Sequence, residues 1–181
     1  MDTPAVPAFD EALLRALVRE VADFPEPGVR YKDITPLLAD PVAFSSVLDA
    51  LVVRFDRTPV DVVVGIESRG FILAAPVAHR LGAAFVPARK AGKLPGPTRR
   101  VAYDLEYGQA ALELHQDAFT PGARVLVLDD VLATGGTAAA CIDLVEAMGG
   151  TLVGLGFLIA LEGLGGAAKL RGHDHEALLH Y

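Results

Sequence analysis

The sequence predicts an α/β fold with a mainly parallel central sheet flanked by helices. Two short runs, residues 61–66 and 125–128, are apolar apart from Asp61 and are typical of central strands that are covered on both faces. Each run leads through a turn into a segment with helical periodicity, residues 69–81 and 137–148. Strands that alternate with helices favour parallel pairing with right-handed crossovers.

The N-terminal part is predicted to contain two helices joined by an irregular segment. Asp10 is a candidate N-cap for a helix over residues 10–22, whose apolar residues fall on one face. The prolines in residues 24–38 predict an ordered but irregular segment. A second helix is expected to begin at Asp40-Pro41, with a cap followed by proline at the first helical position.

The remaining strands follow from local patterns. Residues 84–88 predict a strand in which Pro87 indicates an edge or a strand end. Residues 99–115 alternate like an antiparallel pair around Gly108. Residues 151–161 predict a third buried strand. Gly82 is expected to end the helix that is predicted over residues 69–81.

Composition limits the class of protein. The 181 residues are 52% hydrophobic and 22% charged, which fits one globular domain over residues 1–181. No apolar run reaches about 18 residues, so no membrane contact is expected. The N-terminus has no signal-peptide pattern, and the single Cys141 forms no intramolecular disulfide, which favours a cytoplasmic location. We expect Cys141 to be a small buried hydrophobe.

The distribution of charge suggests a local anion site. The net charge of −7 argues against nucleic-acid binding. Five of the 16 basic residues nevertheless fall within twelve positions: Arg89, Lys90, Lys93, Arg99 and Arg100. Taken alone, this cluster fits an anion site or a solvated charged loop equally well.

Two carboxylates and a loop of small residues follow the run at 125–128. Small side chains let backbone N–H groups approach an anion, and the helix that follows adds its positive end. Paired aspartates accept hydrogen bonds from vicinal hydroxyls, or could hold a metal ion through water. A ribose with a terminal phosphate satisfies both halves of the motif, which consists of Asp129, Asp130, Ala133, Thr134, Gly135, Gly136 and Thr137.

This motif, "VLVLDDVLATGGT", resembles the phosphoribosyl-pyrophosphate (PRPP) binding signature of the type I phosphoribosyltransferases. The segments "PGVRYKDITPLL", "GIESRGF", "RKAGKLPG", "YDLEYG" and "LELHQDA" occur in that order. Together they resemble the adenine-specific members of the family from about Phe24 to the C-terminal "LLHY". The resemblance implies the type I phosphoribosyltransferase fold, with an N-terminal hood in residues 1–38 and an inserted flexible catalytic loop at about residues 90–108.

The resemblance also implies an activity. The family converts adenine and PRPP into AMP and pyrophosphate for purine salvage, with Mg²⁺ bound to PRPP and bridged by water to the position of Asp129. Catalysis is then expected to depend on positioning and electrostatics rather than on a covalent nucleophile. In the family, the arginine matching Arg89 reaches in from the other subunit, which implies a homodimer with shared sites.

The other site residues are implied by their place in the family motifs. Pyrophosphate is expected to bind the loop at Glu67, Ser68 and Arg69, which family members often hold with a non-proline cis peptide, and also Arg89, Lys90 and Lys93. Glu106 is the expected catalytic carboxylate, with Tyr107 beside it. By analogy, Tyr31 stacks on adenine, the backbone at Val29 and Arg30 bonds its edge, and Leu161 covers its other face.

Some alternatives stay open. The residues matching Arg30 and Lys32 are commonly an apolar residue and arginine in the family, so a phosphoribosyltransferase for guanine, xanthine or orotate is a second hypothesis. A non-catalytic PRPP-sensing regulator is a third. His173 and His175 could suggest a metal pair, but two histidines in a glycine-containing tail are more typical of a solvent-facing segment.

Overall fold

The computed structural model describes residues 9–104, 109–170 and 172–181. The chain divides into two compact units, Met1–Ala50 and Leu51–Tyr181. Among the described residues, none of the helices has the length and apolar character needed to cross a bilayer.

The first unit contains two short helices and a β-hairpin-like pair of strands. Helix α1 spans Glu11–Ala16, and the Asp10 carboxylate accepts a hydrogen bond from the Leu13 N–H at 3.1 Å, so the predicted cap is confirmed. The prediction of a helix as far as residue 22 was wrong. Strand β1, Arg19–Ala22, instead pairs antiparallel with β2, Arg30–Asp33; Glu20 lies opposite Lys32 in this register, and the two side chains form an ion pair at 2.8 Å.

Two helices follow, separated by Asp40. Helix α2 spans Thr35–Ala39, so the proline-rich segment is less irregular than predicted. Helix α3 spans Pro41–Phe55. The Asp40 carboxylate accepts the N–H groups of Val42 and Ala43 at 2.9 Å each, which confirms the predicted start of this helix.

The second unit is built on a seven-stranded sheet. Its elements are β3 Val62–Ile66, α4 Gly70–Leu81, β4 Ala84–Lys90, β5 Thr98–Asp104, β6 Gln109–His115, β7 Arg124–Leu132, α5 Gly136–Ala147, β8 Thr151–Ala160, two 3₁₀ turns Glu162–Leu164 and Gly166–Leu170, and β9 His175–His180.

The order of the strands in the sheet is β5-β6-β4-β3-β7-β8-β9. Strands β3, β4, β7, β8 and β9 form parallel pairs, and β5 and β6 are antiparallel additions next to β4. The predicted α/β fold with a mainly parallel sheet is therefore confirmed.

Helices cover both faces of the central strands. On β3, Val62, Val64 and Ile66 belong to the buried cluster that includes Cys141 of α5. Gly65 faces α4, where an added Cβ would lie 2.7 Å from the Cβ of Ala74. Double coverage explains why β3 reads as a continuous apolar run. Cys141 is buried as predicted, and burial raises the pKa of its thiol.

Two strands differ from the prediction. Strand β4 is internal, although Pro87 predicts an edge or a strand end. Strand β6 pairs only with Arg89 and Lys90 at the end of β4, so Pro87 does not need to donate an N–H group on that side. Strand β9 was not predicted, because 3₁₀ turns instead of a helix connect it to β8. Gly82 ends α4 at φ 67°, as expected. The predicted turn at Gly108 lies outside the described residues.

Candidate active site

Two turns come together at the carboxyl ends of β3 and β7. These strands are parallel neighbours, with Gly65 opposite Leu128 in the register. The turn after β3 leads into α4 and the turn after β7 leads into α5. Ligands of parallel α/β sheets bind at such strand ends, where helix N-termini and loops meet.

The turn after β7 forms a small pocket of about 70 Å³ at the start of α5. Gly135 has φ 76°, a left-handed conformation that favours glycine. The start of a 12-residue helix with small side chains around it suits an anion the size of one phosphoryl group. All the predicted residues of this motif except Asp130 line the pocket: Asp129, Ala133, Thr134, Gly135, Gly136 and Thr137.

A backbone contact that the sequence analysis missed supports this loop. A Cβ on Gly135 would collide with the carbonyl oxygen of Gly166, and a Cβ on Gly166 would collide with the carbonyl oxygen of Ala133. The 3₁₀ turn that begins at Gly166 therefore packs backbone against backbone on the loop. The glycine-rich run at residues 163–166 was the available signal.

The two aspartates lie beside Arg69. The Asp129 carboxylate accepts the Asp130 N–H at 2.8 Å, and Asp130 Oδ2 lies 2.8 Å from Arg69 Nε. The latter contact is ionic, since Oδ2 accepts no well-aligned hydrogen bond from the described residues. Burial and the neighbouring Asp130 charge raise the pKa of Asp129. Burial also raises the pKa of Asp130, against the opposing effect of Arg69.

Gly70 makes this arrangement sterically possible. A Cβ at residue 70 would lie 2.8 Å from Asp129 Oδ1 and 2.9 Å from the Leu128 carbonyl oxygen. The start of α4 can therefore approach the end of β7 closely, which brings Arg69 next to Asp130.

The Glu67 carboxylate contacts basic residues of β4 and of the turn that follows β4. Its carboxylate accepts hydrogen bonds from Lys93 Nζ at 2.6 Å, the Lys90 N–H at 2.9 Å and Arg89 Nε at 3.3 Å. Burial alone would raise the pKa of Glu67, but these hydrogen bonds and the charges of Lys93 and Arg89 lower it. Arg89 and Lys93 therefore belong to an ordered cluster rather than to a solvated loop. The Glu67–Ser68 peptide is cis, as the resemblance implies.

A second carboxylate under this cluster was also missed. Glu113 on β6 is 1% exposed and contacts Arg100, whose Nη2 lies 3.2 Å from Oε2. Arg99 and Arg100 are both exposed, and Arg100 in addition pairs with the buried Glu113. A glutamate between two apolar strand residues, Leu112 and Leu114, was the available signal.

The expected adenine residues lie in both units. In the first unit, the Tyr31 ring on β2 meets the Phe24 ring edge-on at 5.1 Å. Arg30 forms an ion pair with Glu20 at 3.2 Å, and the Val29 carbonyl accepts the Phe24 N–H at 3.4 Å. In the second unit, Leu161 follows β8 and donates its N–H to the Leu132 carbonyl at 2.9 Å. Their role toward adenine stays a prediction.

Glu106 and Tyr107 lie outside the described residues. Within the described ranges, no group of three or more His, Cys, Asp or Glu side chains is arranged to hold a metal ion. His173 lies 3.7 Å from Glu146, and the His175 ring is 2.9 Å from the His173 carbonyl oxygen.

Comparison with known proteins gives consistent matches. The model of the phosphoribosyl transferase domain family matches residues 44–176. An adenine phosphoribosyltransferase of Acidothermus cellulolyticus is 57% identical over 164 residues, which cover 91% of this chain and 93% of that protein. The crystal structure of the enzyme of that name from Rhodothermus marinus superposes with a TM-score of 0.91 at 50% identity, covering 94% and 97% of the two chains.

A more distant structure carries ligands. The adenine phosphoribosyltransferase of Saccharomyces cerevisiae, complexed with an imino-altritol bisphosphate and adenine, gives a TM-score of 0.90 at 35% identity. The match covers 93% of this chain and 98% of the yeast chain.

Proposed function

Because the chain belongs to the phosphoribosyltransferase family, and within it to the adenine phosphoribosyltransferases, we propose that its two strand-end turns bind the two ends of one PRPP molecule. The activity is the transfer of the phosphoribosyl group from PRPP to adenine, which yields AMP and pyrophosphate in purine salvage. The observation that carries the assignment of roles is the proximity of an anion-binding loop, a pair of carboxylates and a cation cluster at adjacent strand ends.

The loop after β7 binds the 5-phosphate and the ribose. Backbone N–H groups of Thr134–Thr137 and the threonine hydroxyls are the donors that a phosphoryl group requires. Asp129 and Asp130 accept hydrogen bonds from the two ribose hydroxyls, and Arg69 holds Asp130 in place through its ionic contact at 2.8 Å.

The cluster around Glu67 binds pyrophosphate. Lys93 supplies positive charge to the site of its own subunit, and Arg89 supplies it across the dimer interface. Lys90 and the turn at Ser68 and Arg69 complete the subsite. The Glu67 carboxylate lies 2.6 Å from Lys93 Nζ and 3.3 Å from Arg89 Nε. When PRPP binds, phosphoryl oxygens replace the Glu67 carboxylate as the partners of these two cations.

The residues present fit a Mg²⁺ ion that arrives with PRPP. Mg²⁺ in nucleotide sites keeps several waters and uses one or two carboxylates together with substrate phosphates. Asp129 and Asp130 offer such a pair, while the described residues offer no complete metal site of their own. The ion would neutralise the charge that develops on the leaving pyrophosphate, and Asp129 would hold it through water.

Bond breakage generates positive charge on the ribose carbon. We assign Glu106 to stabilise this charge or to assist at the base nitrogen, within a loop at residues 90–108 that closes to exclude water. No covalent intermediate is required, since the protein positions the base and stabilises the two separating charges.

Adenine is assigned to Tyr31, the backbone of Val29 and Arg30, and Leu161. The adenine in the yeast relative supports this choice of base. Recognition by backbone groups tolerates Arg30 and Lys32, because it depends on the path of the chain rather than on these side chains.

The working form is proposed to be a cytoplasmic homodimer with Arg89 shared across the interface. Two large apolar side chains of the second unit, Ile72 on α4 and Phe85 on β4, are 41% and 37% exposed. Phe85 also packs edge-on against Phe71 with ring centroids 5.9 Å apart. An exposed apolar surface beside Arg89's strand suits a symmetric interface.

The test is turnover by the purified protein with PRPP and Mg²⁺, with adenine, guanine, xanthine and orotate compared as acceptors. We expect AMP and pyrophosphate in equal amounts, with adenine strongly preferred. Preference for another base would refute the adenine assignment, and PRPP binding without turnover of any base would favour the regulator hypothesis.

A further inference from the structure

Glu113 lies in the middle of a row of charged residues that crosses three strands. It is opposite Arg89 of β4 on one side and opposite Arg100 of β5 on the other. Directly opposite residues on neighbouring strands present their side chains to the same face of the sheet. Glu113 is nevertheless 1% exposed, so its carboxylate is covered by other parts of the chain.

The turn after β4 covers it. The N–H groups of Lys93 and Leu94 both donate to Glu113 Oε1 at 3.0 Å. Thr98 Oγ1 and Arg100 Nη2 approach Oε2 at 3.4 Å and 3.2 Å. Burial would raise the pKa of Glu113, but backbone N–H donors at Leu94, Gly92 and Lys93 and the Arg100 side chain lower it to about 2. The carboxylate is therefore ionised and fully engaged at neutral pH.

The same turn carries the cations assigned to pyrophosphate. Lys93, whose N–H is held by Glu113, extends its Nζ to Glu67 at 2.6 Å. The Lys93 carbonyl oxygen accepts a hydrogen bond from Arg89 Nη1 at 3.0 Å. The backbone of Lys93 thus links Glu113 to both cations. A displacement of this one residue would move the Lys93 ammonium and release the Arg89 guanidinium.

We propose that Glu113 is a positioning residue for pyrophosphate: by anchoring the Gly92–Leu94 turn, it aims Lys93 at the pyrophosphate end of PRPP in its own subunit and holds Arg89 in place for the site across the interface. Glu113 itself touches no substrate. The proposal rests on the function proposed above. Glu113 affects binding of the pyrophosphate group of PRPP, whereas the loop after β7 binds the 5-phosphate that PRPP shares with AMP.

The direct test is Glu113→Gln, which preserves the size of the side chain and removes its charge. We expect the KM for PRPP, and the KM for pyrophosphate in the reverse reaction, to rise about tenfold, since charge-assisted hydrogen bonds to the turn are lost. AMP affinity, measured by calorimetry, should stay within about twofold of wild type, because AMP has no pyrophosphate group. A purely structural role would weaken AMP and PRPP together.

A second variant perturbs the turn without touching the buried carboxylate. Gly92 has φ 83° and no atom within 4 Å of an added Cβ, so Gly92→Ala strains only the backbone of the turn. Gly122→Ala is its matched control, since Gly122 has φ 87° and equally open surroundings at the amino end of β7. We expect Gly92→Ala to reproduce the selective loss of PRPP and pyrophosphate affinity, and Gly122→Ala to bind both like wild type.

The outcomes separate this proposal from the function on which it rests. A wild-type protein that does not convert adenine and PRPP overturns the function. An active wild type with Glu113→Gln or Gly92→Ala variants that bind PRPP normally overturns the positioning role. Equal losses of AMP and PRPP affinity in the variants also overturn it.

Discussion

The contact between Gly166 and the loop after β7 allows a sharp test by substitution. In Gly166→Ala, the new Cβ would collide with the Ala133 carbonyl oxygen and lie 3.1 Å from both the Ala133 carbonyl carbon and the Gly135 nitrogen. These are backbone atoms, so no side-chain rotation relieves the collision. Either the 3₁₀ turn or the loop has to move.

The size of the effect follows from the cost of inserting a methyl group into packed structure, about 1–3 kcal/mol. If the loop moves, this strain appears as weaker binding of the 5-phosphate, which corresponds to a loss of affinity of roughly fivefold to 150-fold. If the strain stays in the folded protein, the melting temperature falls by about 2–4 °C per kcal/mol for a chain of this size.

The assay is calorimetric titration with AMP and with PRPP, together with thermal unfolding. Gly166→Ala should weaken both ligands equally, because both carry the same 5-phosphate. Gly163→Ala is the control, since no atom lies within 4 Å of an added Cβ there and its φ is not in the left-handed region. Wild-type affinity for AMP together with an unchanged melting temperature in Gly166→Ala would refute the buttressing role.

Three further predictions concern charged residues. Glu106→Gln should lower the single-turnover rate while PRPP affinity is kept, because the carboxylate is assigned to the transition state; a wild-type rate would contradict this. A heterodimer of Arg89→Ala and Glu106→Ala chains should regain about half of the wild-type activity, since one of its two sites is intact; the absence of recovery would mean that Arg89 serves its own chain. Burial raises the pKa of Asp129 above 3.8, so PRPP affinity should increase as pH rises through the raised value. Over that interval the free energy of unfolding should decrease, because the folded state binds the additional proton; Asp129→Asn should flatten both profiles.

The parts of the fold that local patterns determine were predictable. Buried strands such as β3 appear in the sequence as apolar runs because both of their faces are covered. The start of α3 could be predicted from Asp40, whose carboxylate caps the helix. The loop after β7 was predictable for a similar reason. The turn that we propose to bind phosphate needs small residues in consecutive positions, and these residues lie in one continuous segment of the sequence.

Features that depend on distant partners were not predictable. Residues 19–22 have helical periodicity, but pairing with β2 outweighs this local preference. Gly166 supports a loop about thirty residues away in the chain, and Glu113 anchors a turn some twenty residues earlier. Neither partner can be identified from spacing, because the sheet topology brings them together.

The contacts of Glu67 and Arg69 mean that the binding surface is already close to electrical balance within the protein. Glu67 compensates Lys93 and Arg89, and Arg69 compensates Asp130. Ligand entry is then an exchange of counterions. A polyphosphate accompanied by a cation can replace partners of both signs, whereas an unaccompanied polyanion would displace the Glu67 carboxylate from Lys93 and Arg89 and bring no positive charge in their place. We therefore expect the ion pairs that exist before ligand binding to favour the cation-complexed form of PRPP.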